Sequence, residues 1–316
     1  MTETTKDILE TYEIRKTGKQ KTEFLQYVQN KAGEWGYDSH IEKGWFGARN
    51  LVVGDPVRAK VVYTAHYDTC AVLPFPNFIT PKHMGIYLLY QIAVVLGCML
   101  VPMTALMLLA GWICSEAGLD GDTASAAAVL IGYIWMLTFL VLMMAGPANR
   151  HTANDNTSGV TTLLELMEKL PEGLRTDAAF IFFDLEEMGL FGSGGYASKH
   201  KKEMRDKLLI NFDCVSDGKN ILLAVQKKAG KYIPALQAAF PENETFHVEI
   251  LQKGVFYPSD QVNFPCGVGA ASLKRSKIGN ILYMDRIHTK KDTVYQAENI
   301  AYLTEASIRL TAEMAR

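Results

Sequence analysis

Two long stretches of the chain are apolar without relief, and the remainder follows shorter rhythms. From Met84 to Cys114, and again from Ala124 to Pro147, no Asp, Glu, Lys or Arg occurs. About 20 apolar residues suffice to cross a bilayer, so each stretch is long enough for a transmembrane helix. Trp112 near the end of the first stretch suits an interfacial anchor, and Gly97 with Pro102 predicts a kink in the first span. Outside these stretches the apolar runs have strand length. "LVVG" from Leu51, "KVVYTAHYD" from Lys60, "AAFIFFD" from Ala178, "KLLINFDCV" from Lys207, "ILLAV" from Ile221 and "HVEIL" from His247 read as strands. Residues 5–34 read as a helix ending near Gly33. "SGVTTLLELMEKL" reads as an amphipathic helix stopped by Pro171, a helix is expected around 231–240, and "ENIAYLTEASIRLTAEMA" closes the chain as another.

Continuous apolar strands alternating with helices predict an α/β domain, a mostly parallel central sheet covered by helices on both faces. No internal repeat is visible. Neither flank of the apolar insert holds a complete sheet, so residues 1–82 and 148–316 are expected to form one domain, interrupted by a two-helix transmembrane hairpin at 83–147. Lys82 and Arg150 flank the hairpin, whereas its connecting loop carries Glu116, Asp120 and Asp122 and no basic residue. The positive-inside rule then places the loop outside and both flanks in the cytoplasm, giving a two-span protein of the cell membrane with a cytoplasmic catalytic domain.

Charge changes this picture little. With 32 basic and 34 acidic residues the formal net charge is −2, which implies no field for nucleic acid. The five cysteines are odd in number and scattered; they suggest neither a disulfide framework nor a cysteine-rich zinc site, and they fit a reducing compartment. The polar start of the chain lacks the apolar core of a signal peptide.

The chemistry gathers where apolar strands end. His66 and Asp68 close "VVYTAHYD", Asp184, Glu186 and Glu187 follow "AAFIFF", and Asp213 follows "LLINF". Asp155 precedes a helix in "RHTANDNTSG", and His288 lies in "DRIHTKKDT". Ligands of open α/β sheets bind beyond the carboxyl ends of the strands, so these residues are expected to converge. Converging carboxylates repel one another unless cations intervene. His66, Asp213, Glu187, His288 and a bridging Asp155 satisfy a two-metal site, and mixed imidazole and carboxylate donors suit zinc. Glu186 is then free to act as general base, and Asp68 is placed to orient His66. Tyr257, shortly before "SDQ", is a candidate to hold an oxyanion. Taken singly, each feature has a plainer explanation: a lone "HYD" is structural, paired Glu residues form a solvated face, and an Asp in "NDN" caps a turn.

In chain order, "HYD", "NDNTSG", "DLEEMGLFGSGGY", "NFDCVSDG", "YPSDQVNF" and "IHTKKDT" closely resemble the signature series of metallopeptidase family twenty-eight, which includes co-catalytic zinc aminopeptidases, glutamate carboxypeptidase and glutaminyl cyclase. The resemblance covers nearly all of both flanks. It implies two zinc ions: one on His66 and Asp213, the other on Glu187 and His288, with Asp155 as bridge and Glu186 as base and acid. This chain departs from the pattern in two places. Gln261 stands where the family usually has His, and Asp155 follows His66 by 89 positions because the hairpin fills the gap.

The resemblance implies a membrane-anchored di-zinc hydrolase of peptide or amide bonds, an aminopeptidase in the first instance. The hairpin suggests an alternative, an amidase taking amphipathic substrates such as N-acyl amino acids or lipidated peptides from the bilayer. Glutaminyl cyclisation and a non-catalytic receptor are lesser alternatives, disfavoured by the complete ligand set. Asp155 follows Gly146 by nine residues, at most about 30 Å of extended chain, so the metals are expected close to the membrane face.

Overall fold

The computed structural model describes residues 1–316. By internal contacts the chain divides into two compact units, Met1–Lys82 with Ala148–Arg316, and His83–Pro147.

The first unit begins with α1 (Glu3–Thr11) and α2 (Gly18–Glu34). The single helix expected over 5–34 is therefore two. The break falls at Thr17, whose side chain accepts from Gln20 N while the Gln20 side chain returns to the Thr17 backbone. This capping box stabilises a new helix start. The loop between the helices carries Arg15, whose buried guanidinium donates to the carbonyls of Tyr12 and Tyr67 and to the hydroxyl of Thr157.

The strands follow as β1 (Ser39–Lys43), β2 (Arg49–Val53) and β3 (Val61–His66). In the second unit, α3 (Met84–Val94) and α4 (Val101–Glu116) join through a π-helical segment, Val95–Leu100, to form one 33-residue helix; α5 (Gly121–Ala145) has 25 residues. The first unit resumes with α6 (Gly159–Lys169), β4 (Ala178–Phe183), α7 (Phe191–Lys199), β5 (Leu208–Phe212), β6 (Asn220–Val225), α8 (Ile233–Ala239), β7 (His247–Leu251), β8 (Gly267–Arg275), β9 (Leu282–Tyr283) and α9 (Ala297–Ala315).

The sheet runs β1-β2-β4-β3-β5-β8-β6-β7, with β9 beside β8. Its centre, β4-β3-β5-β8, is parallel, as is β6-β7; the remaining pairings are antiparallel. β3 lies between two strands that come after the insert, so the sheet cannot close without both flanks. Side chains of the central strands alternate between two cores. Tyr63, Phe180, Phe182 and Ile210 face one; Val62, Ile181, Phe183 and Leu209 face the other. Both faces are buried, which is why these strands are apolar throughout rather than alternating.

In the second unit α4 packs on α5. The π-helical turn spans Gly97 and ends just before Pro102. There the Met99 carbonyl accepts from the indole Nε1 of Trp135 at 3.1 Å, so a carbonyl at the irregular turn is satisfied by the neighbouring helix. Leu88, Leu108, Trp112, Leu137 and Val141 are exposed. Both helices are long and apolar enough to cross a membrane.

One glycine controls how α6 meets the sheet. A Cβ on Gly159 would stand 2.3 Å from the Phe212 carbonyl oxygen and 2.5 Å from Asn156 Oδ1. Gly159→Ala is expected to lower stability by about 2–3 kcal/mol, since backbone must shift. Gly18→Ala, where a Cβ meets nothing within 4 Å, is expected to leave stability unchanged within about 0.5 kcal/mol. Urea unfolding of the detergent-solubilised variants measures both.

Candidate metal centre

Each chemically active side chain stands just past a strand end or in a loop tied to one. His66 is the last residue of β3, and its Nδ1 faces the Asp68 main-chain oxygen at 3.0 Å. A carbonyl only accepts, so Nδ1 carries a proton and Nε2 is the ring nitrogen left to face a cation. Nε2 faces Asp155 Oδ1 at 3.4 Å and Asp213 Oδ1 at 3.6 Å. The other oxygen of Asp155, Oδ2, stands 3.2 Å from His288 Nε2, which is itself 3.3 Å from Glu187 Oε2. Asp155 thus presents one oxygen to each of two donor groups.

The loop holding Asp155, Ala153–Ser158, is secured by its polar neighbours. Asn154 Oδ1 accepts from Ser216 N, and Asn156 Oδ1 accepts from Gly159 N and Cys214 N. The backbone N–H groups of Asn154 and Asp155 donate to the two oxygens of Asp292 at 2.9 and 3.0 Å. The Asp155–Asn156 peptide is cis. This loop is a hydrogen-bonded clamp joining the start of α6 to the end of β5.

Asp68 reaches both His66 and the turn that carries Glu186 and Glu187. Its carboxylate lies 3.7 Å from His66 Nδ1, beyond a hydrogen bond, and accepts from the backbone N–H of Glu186 and Glu187 at 3.0 and 3.3 Å. The His66 ring is oriented by the Asp68 main chain, while the Asp68 side chain positions the Glu186–Glu187 turn. Asp184 accepts from Lys21 Nζ and Arg49 N. Tyr257 is buried and its hydroxyl donates to the Asp213 carbonyl at 3.0 Å. Gln261 is also buried; its amide donates to the Tyr257 carbonyl and its oxygen accepts from Asn211. The residue in the family's His position therefore braces the loop beneath Asp213.

Two residues that sequence reasoning passed over belong here. Arg15 is a wholly buried cation facing Asp68, Asp155 and Cys70; burial lowers its pKa to about 10, against the raising pull of those neighbours and Glu13. Its signal was a lone Arg in a predicted helix. Cys70 places its sulfur within 4.8 Å of donor atoms of Asp155, Glu187 and His288. Leu185, Cys214 and His288 adopt left-handed backbone, with φ of 55°, 55° and 62°, a feature common where a site over-determines its residues.

Burial acts first on the titratable groups. Burial pushes Glu187 up to about 8, partly opposed by His288 and reinforced by Asp155. Glu186 rises well above the carboxylate range, from burial together with Glu187, Asp213 and Asp260, despite His66. For His288, burial works against the proton but is outweighed by Glu187 and Asp155, and its pKa rises to about 9. His66 rises in the same way, held up by Glu186, Asp155 and Asp213. Asp155 stays ionised: burial is overcome by its two histidine partners. Without cations, the centre retains protons.

The donor atoms fit divalent cations better than they fit one another. Charge-assisted hydrogen bonds run about 2.7–2.9 Å. In a tetrahedral zinc site with bonds of about 2.0–2.1 Å, adjacent donors stand roughly 3.3 Å apart. The four histidine–carboxylate separations, 3.2 to 3.6 Å, match the second spacing. Asp213 Oδ1 and Glu187 Oε1 are buried without hydrogen-bond partners. His66, Asp155 and Asp213 form one potential donor set; Asp155, Glu187, His288 and Cys70 form another, and Glu186 lies beside His66 and Glu187.

Fold and donor chemistry together define a zinc exopeptidase architecture. Solved structures share that fold. The Legionella pneumophila aminopeptidase LapA matches at 14% identity and TM-score 0.55, over 99% of this chain and 70% of that one. A Zn-dependent exopeptidase from Parabacteroides distasonis matches at 15% identity and TM-score 0.55, over 97% and 94%. Fimbriiglobus ruber glutaminyl cyclase matches at 12% identity and TM-score 0.51, over 97% and 94%. No curated protein matches by sequence. The model of peptidase family M28 matches residues 140–310; the chain belongs to that family and is a zinc metallopeptidase.

Metal uptake should carry a pH signature. A divalent cation must displace the protons on Glu187 and His288, which leave near pH 8 and 9. Zinc affinity is therefore expected to rise as pH increases from about 6 towards 9, with proton release on binding. Zinc titration of metal-free protein in buffers of different ionisation enthalpy measures this; pH-independent uptake without proton release would contradict it.

Proposed function

We propose that this metallopeptidase is a membrane-anchored aminopeptidase whose centre holds two zinc ions, one on His66 and Asp213, the other on Glu187 and His288, with Asp155 between them. The carrying observation is that the two Asp155 oxygens face different histidines, at 3.4 and 3.2 Å. Bound zinc supplies Lewis acidity to the scissile carbonyl and to water.

Glu186 serves as base and then acid. Its backbone is fixed by Asp68, and its side chain lies beside His66 and Glu187. The carboxylate takes a proton from the attacking water as the new C–O bond forms. It returns that proton to the amide nitrogen as the C–N bond breaks and the amine departs. Burial and neighbouring carboxylates raise its pKa, which favours the return of the proton. The Tyr257 proton is committed to the Asp213 carbonyl, so Tyr257 holds the Asp213 loop rather than contacting an oxyanion.

A second reading is favoured by where the insert interrupts the chain. The apolar hairpin separates His66 from Asp155 in sequence, and only eight residues lie between Gly146 and Asp155. In this reading the membrane segment brings amphipathic amides to the same centre.

Glu186→Gln is expected to keep its zinc and lose about 10²–10⁴-fold in kcat on aminoacyl amides. Undiminished turnover would remove Glu186 from the mechanism. In the same assay, kcat/KM that climbs with acyl-chain length supports the amphipathic substrate, and cyclisation of N-terminal glutamine peptides would shift the activity to acyl transfer.

For the membrane arrangement, both helices are proposed to span, with Lys82 and Arg150 on the cytoplasmic side. In intact cells, Leu119→Cys should react with a membrane-impermeant maleimide. Lys253→Cys should react only after permeabilisation. The reverse labelling would invert the topology.

A further inference from the structure

We propose that Cys70 is a fourth, sulfur ligand of the cation on Glu187 and His288, making the two halves of the centre chemically unequal. This rests on the two-cation reading above. Cys70 Sγ and the donor atoms of Asp155, Glu187 and His288 all lie within 4.8 Å of one another, whereas the His66–Asp155–Asp213 set contains no sulfur.

The position of Cys70 is built by main-chain pairing. Leu73 N donates to the His288 carbonyl at 2.8 Å, and Asn149 N donates to the Cys70 carbonyl at 3.1 Å. Ala71 and Ala148 form an antiparallel bridge beside them. The segment after β3 is thereby locked onto the loop that carries His288. Asn149 adds a second tie: its Nδ2 donates to Cys70 Sγ at 3.7 Å and to the Thr289 carbonyl at 3.0 Å. An amide donor on sulfur stabilises the electron density a thiolate ligand must carry. Within the same donor group, Glu187 Oε1 is buried and unpartnered, an acceptor that a cation satisfies.

Ligation breaks the Cys70 S–H bond, forms a sulfur–metal bond and releases the proton to solvent; nothing is oxidised or reduced. The thiolate is soft and anionic, so it selects zinc over magnesium, calcium or manganese at this half. It also places more negative charge on that cation than on the one beside His66 and Asp213. Carbonyl polarisation is thereby directed to the His66 half, where Glu186 also stands.

Cobalt(II) tests this without an activity assay. The full-length protein in detergent is emptied by chelation and reloaded to saturation, with metal content measured per chain. A near-ultraviolet sulfur-to-cobalt charge-transfer band is expected beside the visible cobalt bands. Cys70→Ser should lose the near-ultraviolet band and keep both cobalt ions. Cys214→Ser, altering another buried cysteine outside the donor sets, should keep the band. Two bound cobalt ions in the wild type with no sulfur band overturn the proposal, even if a variant fails to fold. So does a band that survives in Cys70→Ser. Saturation below two cobalt ions per chain instead overturns the two-cation reading, and this proposal with it.

Discussion

The dominant constraint is the crowding of carboxylates beyond the ends of β3, β4 and β5. Asp155, Glu186, Glu187 and Asp213 share a buried space, where two like charges 4 Å apart repel by about 4 kcal/mol at an effective dielectric near 20. The surroundings answer that repulsion with fixed positive charge. Arg15 lies buried beside the cluster, Lys21 pairs with Asp184, and backbone N–H groups point at Asp68 and Asp292. These devices leave the charge incompletely balanced. Without a cation, protons remain on Glu187 and His288 at pH values where free side chains would have released them. The spacing of the histidine and carboxylate donors matches that of ligands around a zinc ion.

The sheet makes this crowding possible. β3 sits between β4 and β5 with all three parallel, so His66, the turn after Phe183 and the turn after Phe212 emerge at the same edge. The clamp of Asn154, Asn156 and Ser158 onto residues 214–216 then brings Asp155 to that edge. The long insert between β3 and α6 leaves this arrangement intact because the first unit closes its own stem: Ala71 bridges Ala148, and Asn149 N reaches the Cys70 carbonyl. Lengthening a loop outside such a stem adds loop entropy, which grows only slowly with length.

The legible elements were those whose pattern records burial directly. "AAFIFF" and "LLINF" are apolar throughout because both sheet faces are covered, and they appear as β4 and β5. β8 was not foreseen. Its sequence, "GVGAASLKR", has the low strand propensity of small residues, yet it lies inside the sheet. A Cβ on Gly269 would stand 2.6 Å from the Gln261 side chain, so smallness there reflects a close neighbour. The helix break before Gly18 was hidden for another reason: the capping box of Thr17 and Gln20 lies within a run of polar residues that a single helix also tolerates.

The chain's own order of residues was enough to establish the α/β class, the two membrane-length helices and the identities of the acids and histidines that gather. Strand burial, helix periodicity and strand-end chemistry are local properties, and they are written in adjacent residues. Tertiary structure decided what those residues do to one another. It turned the Asp68 carboxylate towards the Glu186–Glu187 backbone, committed the Tyr257 proton to Asp213, and brought Arg15 and Cys70 to the centre. Those outcomes depend on strand order and loop pairing across scores of residues, where spacing along the chain carries no record of distance in space.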